Sequence, residues 1–262
     1  VNAPAERTDL FEYLLRLGDD ALVFAQRLAE WVSRAPELEE DMALANIALD
    51  QLGQARLLLS YAGEVQGAGR GEDDLAYLRT DREYRNCLLA ELPNRAPGDD
   101  SLDFGVTIAK LLCFSAYQHG LYQRLAGSTD HRLAEIAGKA VKETAYHVDH
   151  ATVWTLRLGD GTDESHRRTQ AAVEQVWPYT HELFDSDELT ARLAAGGSGV
   201  DPATLRDGWL ATVEKVLTEA TLTRPADGWT PSGGRAGIHT EALSYLLGEM
   251  QSLHRAHPGV RW

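Results

Sequence analysis

ELEEDMALANIALDQLGQARLLLSYAGE, residues 37–64, is the stretch whose reading decides the fold. Leu38, Met42, Ala45, Leu49, Leu52 and Leu59 recur at helical spacing along one side, while Leu44, Ile47 and Leu58 populate another. A helix apolar on more than one side buries itself in a bundle, so this segment is expected to lie deep. Set into it are Asn46, Asp50 and Gln54, a polar line at i, i+4 and i+8, with Arg56 near the other, apolar face. A buried carboxylate must be paired, protonated or metal-bound, so a hydrogen-bonded or salt-bridged network is expected around Asp50. Its removal should destabilise the fold.

Outward from this helix the same period continues. Leu10, Leu14, Leu17, Ala21, Phe24, Leu28 and Trp31 form the stripe of a preceding helix, which Asp9 and Glu12, at capping-box spacing, are expected to open. Pro36 separates the two. After the Gly-rich GAGRGEDD link, a shorter helix is expected through Tyr84 to Leu92, then an exposed loop at PNRAPGDD. A third long helix is predicted from about Asp103 to Leu125 and a fourth from Asp130 to Leu158, stopped by Gly159. Further helices follow around TDESHRRTQAAVEQVWPYTHELF and after Asp201-Pro202, where Pro suits a first helical position. SGGRAGIH, residues 232–239, reads as a tight loop before a last helix carrying Leu243, Leu246, Leu247, Met250 and Leu253. No strand alternation stands out. The expectation is an all-α, ferritin-like helical bundle with additional C-terminal helices. It forms a single domain over 1–262, with its core bundle at about 9–158 and further packing helices at about 162–262.

Composition narrows the function. A formal charge of −15, from 40 acidic and 25 basic residues, argues against nucleic acid or an anionic membrane as partner. Cys87 and Cys113 are the two cysteines and lack metal or disulfide spacing. The opening VNAPAERTDLF lacks the charged and apolar regions of a signal peptide, and no segment is apolar over a bilayer's thickness. A cytoplasmic location is expected.

Dimetal enzymes built on helix bundles draw carboxylates from inward-facing helices and a Glu-x-x-His from each of two of them. None of the nine histidines has Glu three residues before it. Asp163 with His166 is the nearest literal match, and capping accounts for it better. Asp20, Asp50 and Glu143 occupy positions resembling metal-ligating carboxylates, yet Gly53 and Tyr146 stand where histidines would be required. Glu143, His147 and His150 share one helix face and would be, with Asp20 and Asp50, the ligands of any residual metal. The plainer account makes His147 a core histidine bonded to Glu143 or to a carboxylate on a facing helix. The Asp19-Asp20 pair does not continue as a terpenoid-synthase motif, and no GxSxG, Walker or dinucleotide fingerprint is present. No catalytic, cofactor-binding or metal residue is therefore expected. Asp20, Asp50, Gly53, Glu143, Tyr146 and His147 mark a vestigial site.

Four stretches carry a resemblance: residues 15–64 from LRLGDDALVFAQ to SYAGE, KETAYHVDHATVWTLRLGDGT at 142–162, ELFDSDE at 182–188, and GGRAGIHTEALSYLLGEMQSLHRAHPGVRW at 233–262. Together they resemble the C subunits of bacterial ring-1,2-phenylacetyl-CoA epoxidases, over nearly the whole chain. The resemblance implies a non-catalytic ferritin-like paralogue of a catalytic A subunit. That partner holds the di-iron centre, activates dioxygen and epoxidises the aromatic ring of phenylacetyl-CoA. A separate reductase with flavin and iron–sulfur groups supplies electrons from NADPH, and no cofactor is expected in this chain. Its partners would be the A subunit and other subunits of the complex, with phenylacetyl-CoA met only through the complex. Lys139, Lys142, Arg167 and Arg168 could help receive coenzyme A phosphates at a shared rim. The rival readings are a lone metal-binding oxidoreductase with an unusual site and a free-standing helical binding module.

Overall fold

The structure, a computed structural model, describes residues 4–260. In chain order the helices are α1 (Pro4–Ala29), α2 (Leu38–Gln66), α3 (Glu72–Tyr77), α4 (Leu88–Glu91), α5 (Phe104–Leu125), α6 (His131–Gly159), α7 (Asp163–Val176), α8 (Glu188–Ala195), α9 (Arg206–Glu219) and α10 (Glu241–Ala256), with short 3-10 turns among them. No strand occurs among the described residues, and the chain is all-α. None of the helices is long and apolar enough to cross a membrane, among the residues described.

Two compact units share the chain. One takes residues 1–30, 44–93 and 232–262, and the other residues 31–43 and 94–231. In the first, the α1 stripe behaves as its period demands: Leu10, Leu14, Leu17, Ala21, Phe24 and Leu28 are all buried, as are Leu44, Ile47, Leu58 and Leu59 of α2. The approach is close at Gly18, where an added Cβ would stand 2.8 Å from the Leu59 side chain. In the second unit α5 is the central element. Its buried run from Gly105 to Gln118 packs against α6, α7 and α9, and Trp31 donates from Nε1 to Thr107 Oγ1 at 2.9 Å.

The capping signals of α5 and α6 are realised. Asp103 accepts from Val106 N at 3.1 Å and Asp130 from Leu133 N at 2.9 Å, each satisfying an orphan donor of a helix's first turn. Three expectations need correction. α1 already includes Pro4, so Asp9 lies inside the helix instead of capping it. The helix expected from Tyr84 to Leu92 shrinks to the single turn of α4. Finally, α2 is not buried all round: Leu38 is 73% exposed, Met42 60% and Leu49 63%. Periodicity marks a face as apolar without saying that the same chain covers it.

Candidate functional site

Asp19 and Asp20 sit side by side on α1, and both are buried. A carboxylate out of water costs several kcal/mol, on the order of what a well-placed cation returns, and each finds its own guanidinium. Arg79 forks onto Asp19, with Nη1 at 2.9 Å from Oδ2 and Nη2 bonded to Oδ1. Its Nη1 also donates to the Glu83 carbonyl at 3.0 Å, and its Cζ lies 4.4 Å from the Tyr84 ring centre. Burial alone would lower the pKa of this guanidinium, but the charge and hydrogen bonds of Asp19 outweigh burial and raise it. Burial, reinforced by the Asp19 charge, holds the Tyr84 phenol well above its usual range.

Asp20 is served by Arg235, from the glycine-rich loop before α10. Arg235 Nη1 lies 2.8 Å from Oδ1 and Nη2 2.7 Å from Oδ2, the bidentate geometry that makes Arg–carboxylate pairs strong. The remaining donor capacity of Nη1 goes to the carbonyls of Arg85 at 2.9 Å and Arg16 at 3.3 Å. Cys87 N adds a third bond to Asp20 Oδ1 at 2.7 Å, and Arg85 N donates to Asp19 Oδ2 at 2.8 Å. These two bonds tie the segment before α4 to α1 in an extended form, with Tyr84 at ψ 150° and Cys87, the N-cap residue of α4, at ψ 152°, so the helix expected over Tyr84–Leu92 starts only at Leu88. The loop glycines have an equally concrete cause. A Cβ at Gly234 would stand 2.2 Å from the Asn86 carbonyl oxygen, and Gly237, at φ 75°, would place one 2.3 Å from that of Arg82. Only a side-chain-free backbone comes close enough to deliver Arg235.

Beside this lies a third buried carboxylate. Glu91 accepts from His239 Nδ1 at 2.7 Å, from Thr240 N at 2.7 Å and from Asn86 Nδ2 at 2.8 Å. The loop and the start of α10 are thus pinned by two acidic side chains of their own unit.

Of the six positions singled out in the sequence, Asp20, Asp50 and Gly53 belong to this unit and Glu143, Tyr146 and His147 to the other. Asp50 is half-buried and partnered. Nearby, Asn46 is exposed, and Arg56, also exposed, pairs with Glu72 at 3.0 Å. An added Cβ at Gly53 would meet nothing within 4 Å. Glu143 stands 3.5 Å from Lys139 Nζ. Tyr146 is 52% exposed and His147 is fully buried and partnered. His150 faces a carboxylate of another helix, with Nε2 3.2 Å from Glu40 Oε2 on α2. Burial lowers its pKa below the usual imidazole value, with Glu40 pulling the other way. No group of three or more His, Cys, Asp or Glu side chains among the described residues converges so as to hold a metal ion. The donor set does not fit a dimetal centre: Asp20 is already neutralised by Arg235 across both of its oxygens, Gly53 has no donor atom and Tyr146 is 52% exposed.

The Asp163 and His166 pair is structural. Thr162 and Ser165 form the capping box of α7, and His166 Nδ1 donates to the Gly159 carbonyl at 2.8 Å. Three of the four basic residues considered for coenzyme A are committed, Lys139 to Glu143, Arg167 to Glu164 at 2.8 Å and Arg168 to Asp103 at 2.6 Å. Sequence reasoning passed over Arg79 and Arg235. The one available signal was an arginine inside a glycine cluster, a place where the backbone is built for close approach.

Comparison with known proteins agrees with the sequence resemblance. The phenylacetic acid catabolic protein family matches residues 1–262. The chain is 47% identical over 253 residues to the C subunit of 1,2-phenylacetyl-CoA epoxidase from Escherichia coli (strain K12), a match covering 97% of this chain and 99% of that protein.

Proposed function

This chain belongs to the family of phenylacetic acid catabolic proteins, and on that premise we propose that it is the C-type subunit of a 1,2-phenylacetyl-CoA epoxidase complex. In this reading it is cytoplasmic, non-catalytic by itself and without a cofactor. It supports a separate catalytic A subunit, which carries the di-iron centre, while a reductase supplies the electrons.

The observation that carries the non-catalytic role is the Asp20–Arg235 pair. A metal ion on this carboxylate would have to share it with a guanidinium that spans both oxygens at 2.7 and 2.8 Å and already neutralises its charge. Arg235 supplies in place the positive charge that a metal would otherwise bring. The subunit role draws support from α2. Leu38, Met42, Ala45 and Leu49 follow the four-three-four spacing of a helix-packing seam, and three of them are well over half exposed. Such a seam suits the apolar centre of an obligate interface, which commonly buries more than about 2,000 Å².

The test is to purify the chain alone and after co-expression with its A subunit, measuring iron and molecular mass on both. Iron confined to the complex is the expected result. Near-stoichiometric iron in the isolated chain would overturn the reading in favour of a lone oxidoreductase. A Met42→Glu, Leu49→Glu variant with unchanged helicity should fail to co-purify with the A subunit.

A further inference from the structure

The buried side of α10 carries Leu243, Leu246 and Leu247, with Gln251 donating to the Ala76 and Arg79 carbonyls at 3.0 Å. Its other side is uncovered among the described residues: Tyr245 is 73% exposed, and Glu241, Gly248, Ser252 and Arg255 are exposed too. Glu241, Gly248 and Arg255 follow one another at intervals of seven, and so do Tyr245 and Ser252. Seven residues make close to two turns, so each set runs lengthwise along the helix. That is the spacing at which one helix lies along another.

Charge gives this face a direction. Glu241, in the first turn, meets no cation among the described residues. Arg255, in the last turn, donates from Nε to the Tyr77 carbonyl at 2.9 Å and from Nη2 to the Arg79 carbonyl at 3.0 Å, and meets no carboxylate among the described residues. Those carbonyls hold the guanidinium in place without neutralising it. Fourteen positions separate the two charges, and Gly248 is their midpoint; the separation is about 21 Å along the helix. A Cβ added at Gly248 would meet nothing within 4 Å. No contact within the chain calls for glycine there, although glycine is a poor helix residue.

We propose that this face pairs with the same face of a second copy of the chain, the two α10 helices running antiparallel about a two-fold axis at Gly248. Such a contact needs a surface that complements itself. With the axis at Gly248, each Glu241 comes opposite the Arg255 of the other copy, each Tyr245 ring covers the short Ser252 side chain, and the bare backbone at the centre lets the helices approach closely. A parallel pairing would set Glu241 against Glu241 and Arg255 against Arg255, with the helix dipoles side by side, so charge selects the antiparallel one. The pair is a weak one. One sixteen-residue helix is the whole contact, smaller than the roughly 1,200 Å² of a stable interface, and the chain's formal charge of −15 opposes it. The inference uses none of the α2 seam and does not rest on the role proposed above.

The test is sedimentation equilibrium of the full-length chain, purified alone, from about 1 to about 500 µM. Half-association is expected at about 100 µM in low salt, weakening severalfold at about 0.5 M salt, where exposed ion pairs are screened. Gly248→Leu puts a side chain on the axis and should weaken association by about tenfold or more. Glu241→Arg and Arg255→Glu should each lose association when alone, and an equimolar mixture of the two should regain it, because each reversed charge then faces an opposite one. A fault in folding could not give that recovery, so the mixture decides even if Gly248→Leu fails to fold. The Met42→Glu, Leu49→Glu variant should associate like the wild type. A monomer over the whole range, no recovery in the mixture, or association lost in the α2 variant and kept in Gly248→Leu would each overturn the proposal.

Discussion

His239 Nδ1 stands 2.7 Å from Glu91 Oε2 while its Nε2 stands 3.1 Å from the Tyr84 carbonyl oxygen. A carbonyl only accepts, so Nε2 carries a proton, and a second proton is held between Nδ1 and the Glu91 carboxyl. With both side chains nearly sealed from solvent, Glu91→Gln leaves this arrangement one acceptor short and removes its charge. We expect a loss of about 3–5 kcal/mol, read as a lower midpoint in urea unfolding. A loss below about 1 kcal/mol, the scale of a surface pair, would show that the pair is not effectively buried.

The Asp20–Arg235 pair predicts an asymmetry between breaking and replacing. Arg235→Ala strands a buried carboxylate and should cost about 3–5 kcal/mol, whereas Asp20→Leu with Arg235→Met should cost far less, because it removes both charges and keeps the volume. Denaturant unfolding of the two variants measures this directly. Equal losses in both would mean that packing, and not charge, dominates the site.

Glycine positions should split by what surrounds them. Gly234→Ala drives a Cβ to within 2.2 Å of the Asn86 carbonyl oxygen, and rigid backbone has to move. Gly248→Ala on α10 meets nothing within 4 Å and should stabilise by about 0.5–1 kcal/mol. Thermal unfolding should therefore move in opposite directions for the two substitutions.

Acid sensitivity should centre on His150. Burial disfavours its charged form, the Glu40 carboxylate offsets this in part, and Arg157 adds to the burial effect. The folded ring thus binds a proton less readily than the unfolded one, and stability, full above the ordinary value of 6.5, falls as pH drops below it. In His150→Gln the slope of stability against pH just below that value should flatten. An unchanged slope would assign it to other groups.

Both thiols should be silent in the native protein. Cys87 and Cys113 are buried, and burial pushes the Cys113 thiol up to about 12, so almost no thiolate exists at neutral pH. Ellman's reagent should react only after unfolding. A rapidly reacting native thiol would mean that one of them is reached by solvent through local opening.

Much of this protein is written locally. The helical period of α1, the caps at Asp103 and Asp130 and the stop at Gly159 each depend on residues within a turn or two, so the sequence by itself determined where the long helices lie. The lack of any Glu-x-x-His is equally a property of the string. Which cation meets which acid is not. Arg235 reaches Asp20 across 215 positions and Arg79 reaches Asp19 across 60, and no spacing rule links residues that only the return of the chain brings together. The single turn left at α4 follows from the same cause, since the bonds of the Arg85 and Cys87 amides to Asp19 and Asp20 hold an extended segment in front of it. Likewise the period of α2 announces two apolar faces. Only the tertiary structure decided that Leu44, Ile47 and Leu58 are covered by their own chain while Leu38, Met42 and Leu49 are left facing outward, because burial depends on what packs against a face and not on the face alone.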